Sequence, residues 1–210
     1  MAKGIFITFE GIEGCGKTTQ VEILKTYLVK LGHEVVITRE PGGCFIGEKI
    51  REILLDPENR GMTAHTELLL YEASRAQHVA DVILPALKEG KTVISDRFYD
   101  ASTAYQGHAR GLGADKVREL NLFATGGLQP DLTIVLDLPA SEGLRRLGRD
   151  LDRIESEAVD FHEKVRNGYI EVAGSDPDRV KLVDSSGATE STAAEIKRIV
   201  DEFLPRRRRG

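Results

Sequence analysis

Long apolar runs are missing from this chain. No window approaches the roughly eighteen uninterrupted apolar residues of a membrane-spanning helix, so no membrane segment is expected. Cysteine is scarce: Cys15 and Cys44 are the two present, both in glycine-rich stretches. That argues against a disulfide framework and for a reducing, cytoplasmic setting. A cleavable signal pattern is not seen, because Met1-Ala2-Lys3-Gly4 runs straight into a strand-like stretch. An excess of positive charge is lacking too. With 29 Lys+Arg against 34 Asp+Glu the formal net charge is −5, which speaks against a general nucleic-acid binder. The basic run Arg206–Arg209 reads as a solvated tail. No repeat, low-complexity tract or linker interrupts the 210 residues, so one α/β domain over 1–210 is expected.

What is present is an alternation of short β-branched runs and longer helical stretches. Ile5–Glu10, Glu34–Thr38, Thr92–Asp96, Leu132–Asp137 and Val180–Asp184 read as strands. Lys17–Leu31, a stretch near Gly47–Leu55, Thr63–Lys88 and a last one near Ser191–Leu204 read as helices. Such alternation implies a parallel sheet of about five strands with helices on both faces. Around Gly148–Glu155 the chain is charged and lacks apolar periodicity, which predicts a mobile flap.

The strongest motif is Gly11-Ile12-Glu13-Gly14-Cys15-Gly16-Lys17-Thr18, a G-x-x-x-x-G-K-[ST] loop between a predicted strand and a predicted helix. Its glycines let backbone N–H groups converge on phosphate oxygens at a helix start. Lys17 supplies charge to the β and γ phosphates, and the Thr18 hydroxyl is a magnesium ligand. ATP or GTP binding follows, with Thr19 continuing the loop. Two missing motifs narrow the class. No N/T-K-x-D segment reads guanine, and no glutamate follows Asp96 or Asp137 to activate water. Asp96, ending its strand, suits magnesium through water, and transfer to a bound acceptor fits better than hydrolysis. Arg39, Arg51, Arg75 and Arg97 stand at loops or helix faces after strands. Arginine holds a second phosphate well, although an unplaced arginine reads first as a surface cation; Arg97, following a buried-type strand beside Asp96, is less easily dismissed.

Taken in order, several segments resemble the bacterial-type thymidylate kinases. They are Phe9-Glu10-Gly11 with the phosphate loop, Thr38-Arg39-Glu40-Pro41-Gly42-Gly43, Ser74-Arg75-Ala76-Gln77-His78 and Asp96-Arg97-Phe98. Ala104-Tyr105-Gln106-Gly107, Gln129-Pro130-Asp131-Leu132-Thr133 and Leu151-Asp152-Arg153-Ile154-Glu155 complete the set. The resemblance runs from Ile5 to about Gly174. It implies a P-loop kinase fold with a lid at about 146–155, and the reaction ATP + dTMP giving ADP + dTDP with Mg²⁺. A homodimer through helices beside the acceptor site is also implied.

The same resemblance assigns residues. Gly11, Glu13, Gly14, Cys15, Gly16, Lys17, Thr18, Thr19 and Arg146 would meet ATP, with Arg146 on adenine. Tyr71 would stack on thymine, although a half-buried core aromatic is an equal reading. Arg75 would donate to thymine O4, Pro41 would border the base, and Ser102 and Gln106 would touch its polar edge. Tyr105 would crowd the sugar 2′ position, and Glu13 would take the 3′-hydroxyl. Arg39, Arg51 and Arg97 would hold the acceptor phosphate. Because Ile12, Glu13, Gly14 and Cys15 include no basic residue, the lid must supply the catalytic arginine. Arg149 and Arg153 are the candidates, beside Lys17 and Arg97. An arginine-rich helix surface is the alternative reading of Arg145–Arg153. Another deoxynucleoside or nucleoside monophosphate kinase is the nearest rival function, and a slowly hydrolysing nucleotide switch a more distant one.

Overall fold

The structure is a computed structural model that describes residues 4–147 and 151–207. Its strands are β1 (Ile5–Glu10), β2 (Val35–Arg39), β3 (Thr92–Asp96), β4 (Leu132–Asp137) and β5 (Val180–Asp184). They form one parallel sheet in the order β2-β3-β1-β4-β5. The central strand is buried on both sides, which is why it reads as a nearly continuous apolar run. Phe6 joins Val79, Ile83, Val93 and Phe98 in one cluster, while Ile7 and Phe9 join the larger one. Its polar members are paired, as burial demands. Thr8 and Thr133 share a hydroxyl hydrogen bond of 2.8 Å across β1 and β4.

Helix α1 (Lys17–Lys30) starts at Gly16 and buries Gln20, Val21, Leu24 and Leu28. One helical turn separates Gln20, Leu24 and Leu28, so they share a stripe. Helix α2 (Phe45–Leu55) begins two residues earlier than its sequence pattern suggests. Cys44 supplies the reason: its Sγ accepts from the Gly47 N–H at 3.3 Å, a capping role. The long stretch after Thr63 is not one regular helix. It divides into α3 (Ala64–His78), a π turn at Val79–Ile83 and α4 (Leu84–Lys88). Pro85 has no N–H to close the usual ladder, so the turn widens and the Leu84 N–H reaches Val79 O.

After β3 come α5 (Tyr99–Ser102), a π turn at Thr103–Ala109 and α6 (Ala114–Thr125). Helices α7 (Ala140–Arg146), α8 (Val159–Ser175) and α9 (Thr189–Arg207) complete the chain. Gly168 lets α8 lie directly on the Thr103–Ala109 turn, since a Cβ there would stand 3.0 Å from Ala104 Cα. Among the described residues no helix is long and apolar enough to cross a membrane.

The second half of the expected flap carries local structure. Leu151–Glu157 is a folded turn, with the Asp152 carboxylate accepting from Ile154 N and Glu155 N at 2.9 Å each. Ile154 is buried in the main core. Arg153 caps the end of α2, donating from its backbone N–H to Leu55 O and from Nε to Leu54 O. Carbonyls at a helix C-terminus lack partners of their own, so this polar segment is anchored by bonds that apolar periodicity does not reveal.

Candidate active site

The carboxyl ends of β1 and β3 meet where the chain leaves neighbouring strands in opposite directions, the usual position of ligands in open α/β sheets. A cleft of about 500 Å³ opens there. The phosphate loop forms one wall. Gly14 has φ +72°, and a Cβ on it would stand 2.1 Å from Gly143 O in α7. Gly143 in turn approaches Glu13 O, so two glycines press α7 onto the loop and bring Arg146 to the cleft. The Lys17 ammonium curls back onto its own loop, donating to Gly11 O (3.1 Å) and Ile12 O (2.8 Å). At the loop's end Thr18 Oγ1 lies 3.3 Å from Asp96 Oδ2. These two hard oxygens fit a small divalent cation that takes its other ligands from phosphate and water.

Arg97 is the centre of the site. Its φ of +70° places a non-glycine residue in the left-handed region, strain of the kind found at functional positions. The surroundings hold it there: its N–H donates to Phe9 O and its carbonyl accepts from Ser95 Oγ. Nη2 meets Glu13 Oε1 at 2.6 Å, while Nη1 donates to Gly11 O and to Tyr169 OH. The Tyr105 hydroxyl donates to both Glu13 oxygens, at 2.8 and 2.9 Å. Burial alone would raise the Glu13 carboxyl, but Arg97, His162, Lys17 and Tyr105 outweigh it and hold it well below the usual carboxylate range. Burial pushes the Tyr105 phenol far up despite Arg97, so it remains a donor. Glu13 is thus a firmly ionised acceptor facing the cleft.

Farther along, Arg39 and Arg51 converge. Arg39 makes a two-bond pair with Glu48 (2.8 and 3.0 Å), and Arg51 donates to Pro41 O at 2.9 Å. Burial, then the neighbouring Arg39, lowers the Arg51 guanidinium from its ordinary value. Two cations held together in this way favour an incoming anion. Pro41, Leu55, Tyr71, Ala101, Ser102 and Gln106 also line the cleft. The Gln106 amide is fixed by donation to Glu67 at 2.9 Å.

The cleft therefore gathers Glu13, Gly14, Gly16, Lys17, Thr18, Thr19, Arg39, Pro41, Arg51, Tyr71, Asp96, Arg97, Ser102, Tyr105, Gln106 and Arg146. Four expected residues do not line it. Gly11 is buried beneath the loop, and the Cys15 side chain sits in the core, where burial raises its thiol. Arg75, expected at thymine O4, is a buried hub with all five N–H groups engaged in this structure. Its partners are Glu40, Glu72, Asn121, Phe98 O and Ser102. Ser102 lines the cleft, so a base carbonyl reaches Arg75 only by replacing that acceptor. Arg153, expected as a catalytic arginine, has Nη1 on Glu67 at 2.7 Å and 6% of its side chain exposed. Arg149 lies outside the described residues. Sequence reasoning missed Glu40, Asp152 and Glu155 on the cleft wall, and His162 and Tyr169 behind it.

Glu10, directly under the loop, gives a testable pH signature. It accepts from Phe98 N (2.7 Å) and Tyr169 OH (2.8 Å). Burial, reinforced by Asp100, pushes its pKa up from 4.5 to about 8. The folded state keeps a proton that the unfolded chain releases above 4.5, so this group's contribution is full below that pH and is lost as pH rises towards 8. Glu10→Gln is expected to flatten that limb of the stability profile. Urea midpoints across the same window measure it, and an unchanged slope would mean Glu10 is ionised throughout.

Comparison with known proteins agrees with this geometry. The thymidylate kinase family model matches residues 9–196. A thymidylate kinase of Geobacter sp. (strain M21) is 51% identical, covering 97% of this chain and 92% of its own length. One of Symbiobacterium thermophilum is also 51% identical, covering 98% and 97%. The crystal structure of thymidylate kinase from Ehrlichia chaffeensis superposes with a TM-score of 0.78 at 32% identity, over 95% of this chain and 99% of that one. A phosphate loop, a strained arginine on an ionised glutamate and a paired-arginine pocket thus stand in a chain that belongs to the thymidylate kinase family.

Proposed function

We propose that this chain transfers the γ-phosphoryl group of ATP to dTMP, giving ADP and dTDP for dTTP synthesis. The observation that carries the reading is a single cleft lined together by the phosphate-loop Lys17, by Arg39 and Arg51, and by the aromatic Tyr71. ATP would lie on Gly14, Gly16, Lys17, Thr18 and Thr19, with backbone amides of Gly11 and Cys15 completing the loop and adenine against Arg146. Thr18 and Asp96 would hold Mg²⁺, which supplies charge neutralisation at the phosphates. The acceptor phosphate would sit between Arg39, Arg51 and Arg97, and the thymine between Pro41, Tyr71, Ser102 and Gln106. Because phosphoryl transfer asks for positioning and charge more than covalent chemistry, Lys17 and Arg97 are the principal catalytic groups. Arg149 is proposed as the lid donor. One domain over 1–210, a homodimer and a cytoplasmic site of action complete the reading. ATP consumption with each nucleoside, each monophosphate and no acceptor tests it: dTMP-dependent turnover is expected, and acceptor-independent turnover would indicate a switch.

Tyr105 supplies the sugar test. Its ring lies under the Arg97 guanidinium, 5.1 Å from ring centroid to Cζ, and edge-on to Phe161 and Tyr169. With the ring fixed on these sides, the phenol would crowd a ribose 2′-hydroxyl, and discrimination would come from steric exclusion. Tyr105→Ala is expected to raise the ratio of kcat/KM for ribo-TMP over dTMP. An unchanged ratio with dTMP activity retained would assign Tyr105 to holding Glu13 alone.

A further inference from the structure

His162 lies in the first turn of α8, fully buried behind Glu13 and outside the cleft wall. Neither ring nitrogen has a hydrogen-bond partner among the described residues. A neutral imidazole carries one N–H and one lone pair, and a buried polar group left unmatched is costly. Its Nδ1 faces Glu13 Oε2 at 3.6 Å, too long for a formed hydrogen bond. The ring is held edge-on to Phe161, with centroids 5.6 Å apart. The carboxylate it faces is unevenly held. Arg97 fixes Oε1 at 2.6 Å, whereas the Tyr105 hydroxyl is shared between Oε1 and Oε2 and so fixes neither.

We infer that His162 is a positioning residue for the acceptor's sugar hydroxyl, acting through Nδ1–H on Glu13 Oε2. The inference rests on the reading that Glu13 accepts the 3′-hydroxyl of dTMP. An incoming hydroxyl competes with Tyr105 for the same oxygens. With Oε1 on Arg97 and Oε2 on His162, the carboxylate plane is locked and one lone pair stays directed at the substrate. Bonds of this kind are often long in the free enzyme and tighten in the complex. His162 touches no substrate atom itself.

The test compares dTMP with its 3′-deoxy analogue, reading the ratio of kcat/KM in wild type, Glu13→Gln, His162→Phe, His162→Asn and His162→Gln. Phe keeps an aromatic ring without a donor, Asn keeps a donor near the Nδ1 position, and Gln moves it to the Nε2 position. Because His162 only orients the ionised Glu13, its loss weakens and does not abolish the bond to the 3′-hydroxyl, which predicts a fall of about five- to tenfold in the ratio for His162→Phe and His162→Gln. The fall should appear in KM for dTMP, with KM for ATP unchanged and His162→Asn close to wild type. If Glu13→Gln loses the discrimination while His162→Phe keeps it, the role of His162 is overturned and that of Glu13 stands. If Glu13→Gln keeps it, the reading beneath the inference falls. Should the Phe variant fail to fold, equal ratios in the Asn and Gln variants overturn the inference.

Discussion

Lys17→Ala is expected to lower dTMP-dependent turnover by about 10²–10³-fold or more, the cost of deleting one preorganised donor to developing charge. The fold should survive. The Lys17 ammonium is bonded to loop carbonyls Gly11 O and Ile12 O and packs into no apolar cluster. In the free protein those carbonyls hold the ammonium over the place where phosphate would enter. Nucleotide therefore exchanges these neutral acceptors for anionic ones, and charged partners make the stronger bond. Because that bond gains strength as charge develops in the transition state, the loss should fall more on kcat than on KM for ATP. Circular dichroism and the urea midpoint check folding, and steady-state kinetics check the split. Near wild-type turnover would remove the phosphate loop from the reaction.

How much of this was legible beforehand depends on how local each feature is. The phosphate loop lies in eight consecutive residues, and its chemistry needs only the strand before it and the helix after it. All five strands could be found, because a parallel strand covered on both faces is a short apolar run bounded by turns. β2 nevertheless starts at Val35 and includes Arg39, one residue later at each end than the apolar run suggests. The helical stretch through Pro85 hid a π turn, since a widened ladder leaves the apolar spacing almost unchanged. What could not be read was which arginines would face the cleft. Arg39, Arg75, Arg97 and Arg153 look alike in sequence. Yet Arg75 and Arg153 are neutralised by Glu40, Glu72 and Glu67, distant in the chain or on the same helix face. Motif matching names the positions but not the partners that occupy them. His162 gave no signal at all, because its importance lies in facing Glu13 across 149 positions of chain, from 13 to 162.

The largest stability effect is expected at Arg75. Its side chain is 1% exposed, with Nε 2.9 Å from Glu40 and Nη1 2.6 Å from Glu72. Glu40 also meets His78 Nδ1 at 2.9 Å, so the hub ties α3 to the Arg39-Glu40-Pro41 loop and, through Asn121, to α6. Truncation to Ala strands two buried carboxylates. Breaking a buried pair costs about 3–5 kcal/mol, because the charge left behind has neither water nor a partner. For a domain of this size that is a fall of roughly 6–20 °C in Tm. Arg75→Lys should recover only part of it, since one ammonium cannot reach acceptors spread around a planar fork. The sign of the pH dependence separates electrostatics from packing. Burial already raises Glu72 above its ordinary value, and Arg75 is the main influence opposing that rise. Without Arg75 the Glu72 carboxyl shifts further up, so it enters the folded state protonated at low pH and at little cost. That relief is lost as pH rises through its folded value. The destabilisation of Arg75→Ala should therefore be smaller at pH 5 than at pH 8 by urea titration. An equal loss at both would mean that the cavity, and not the unpaired charge, carries the effect. Pairing Arg75→Met with Glu40→Gln and Glu72→Gln should then restore much of the lost stability, since removing all the charges together leaves none uncompensated.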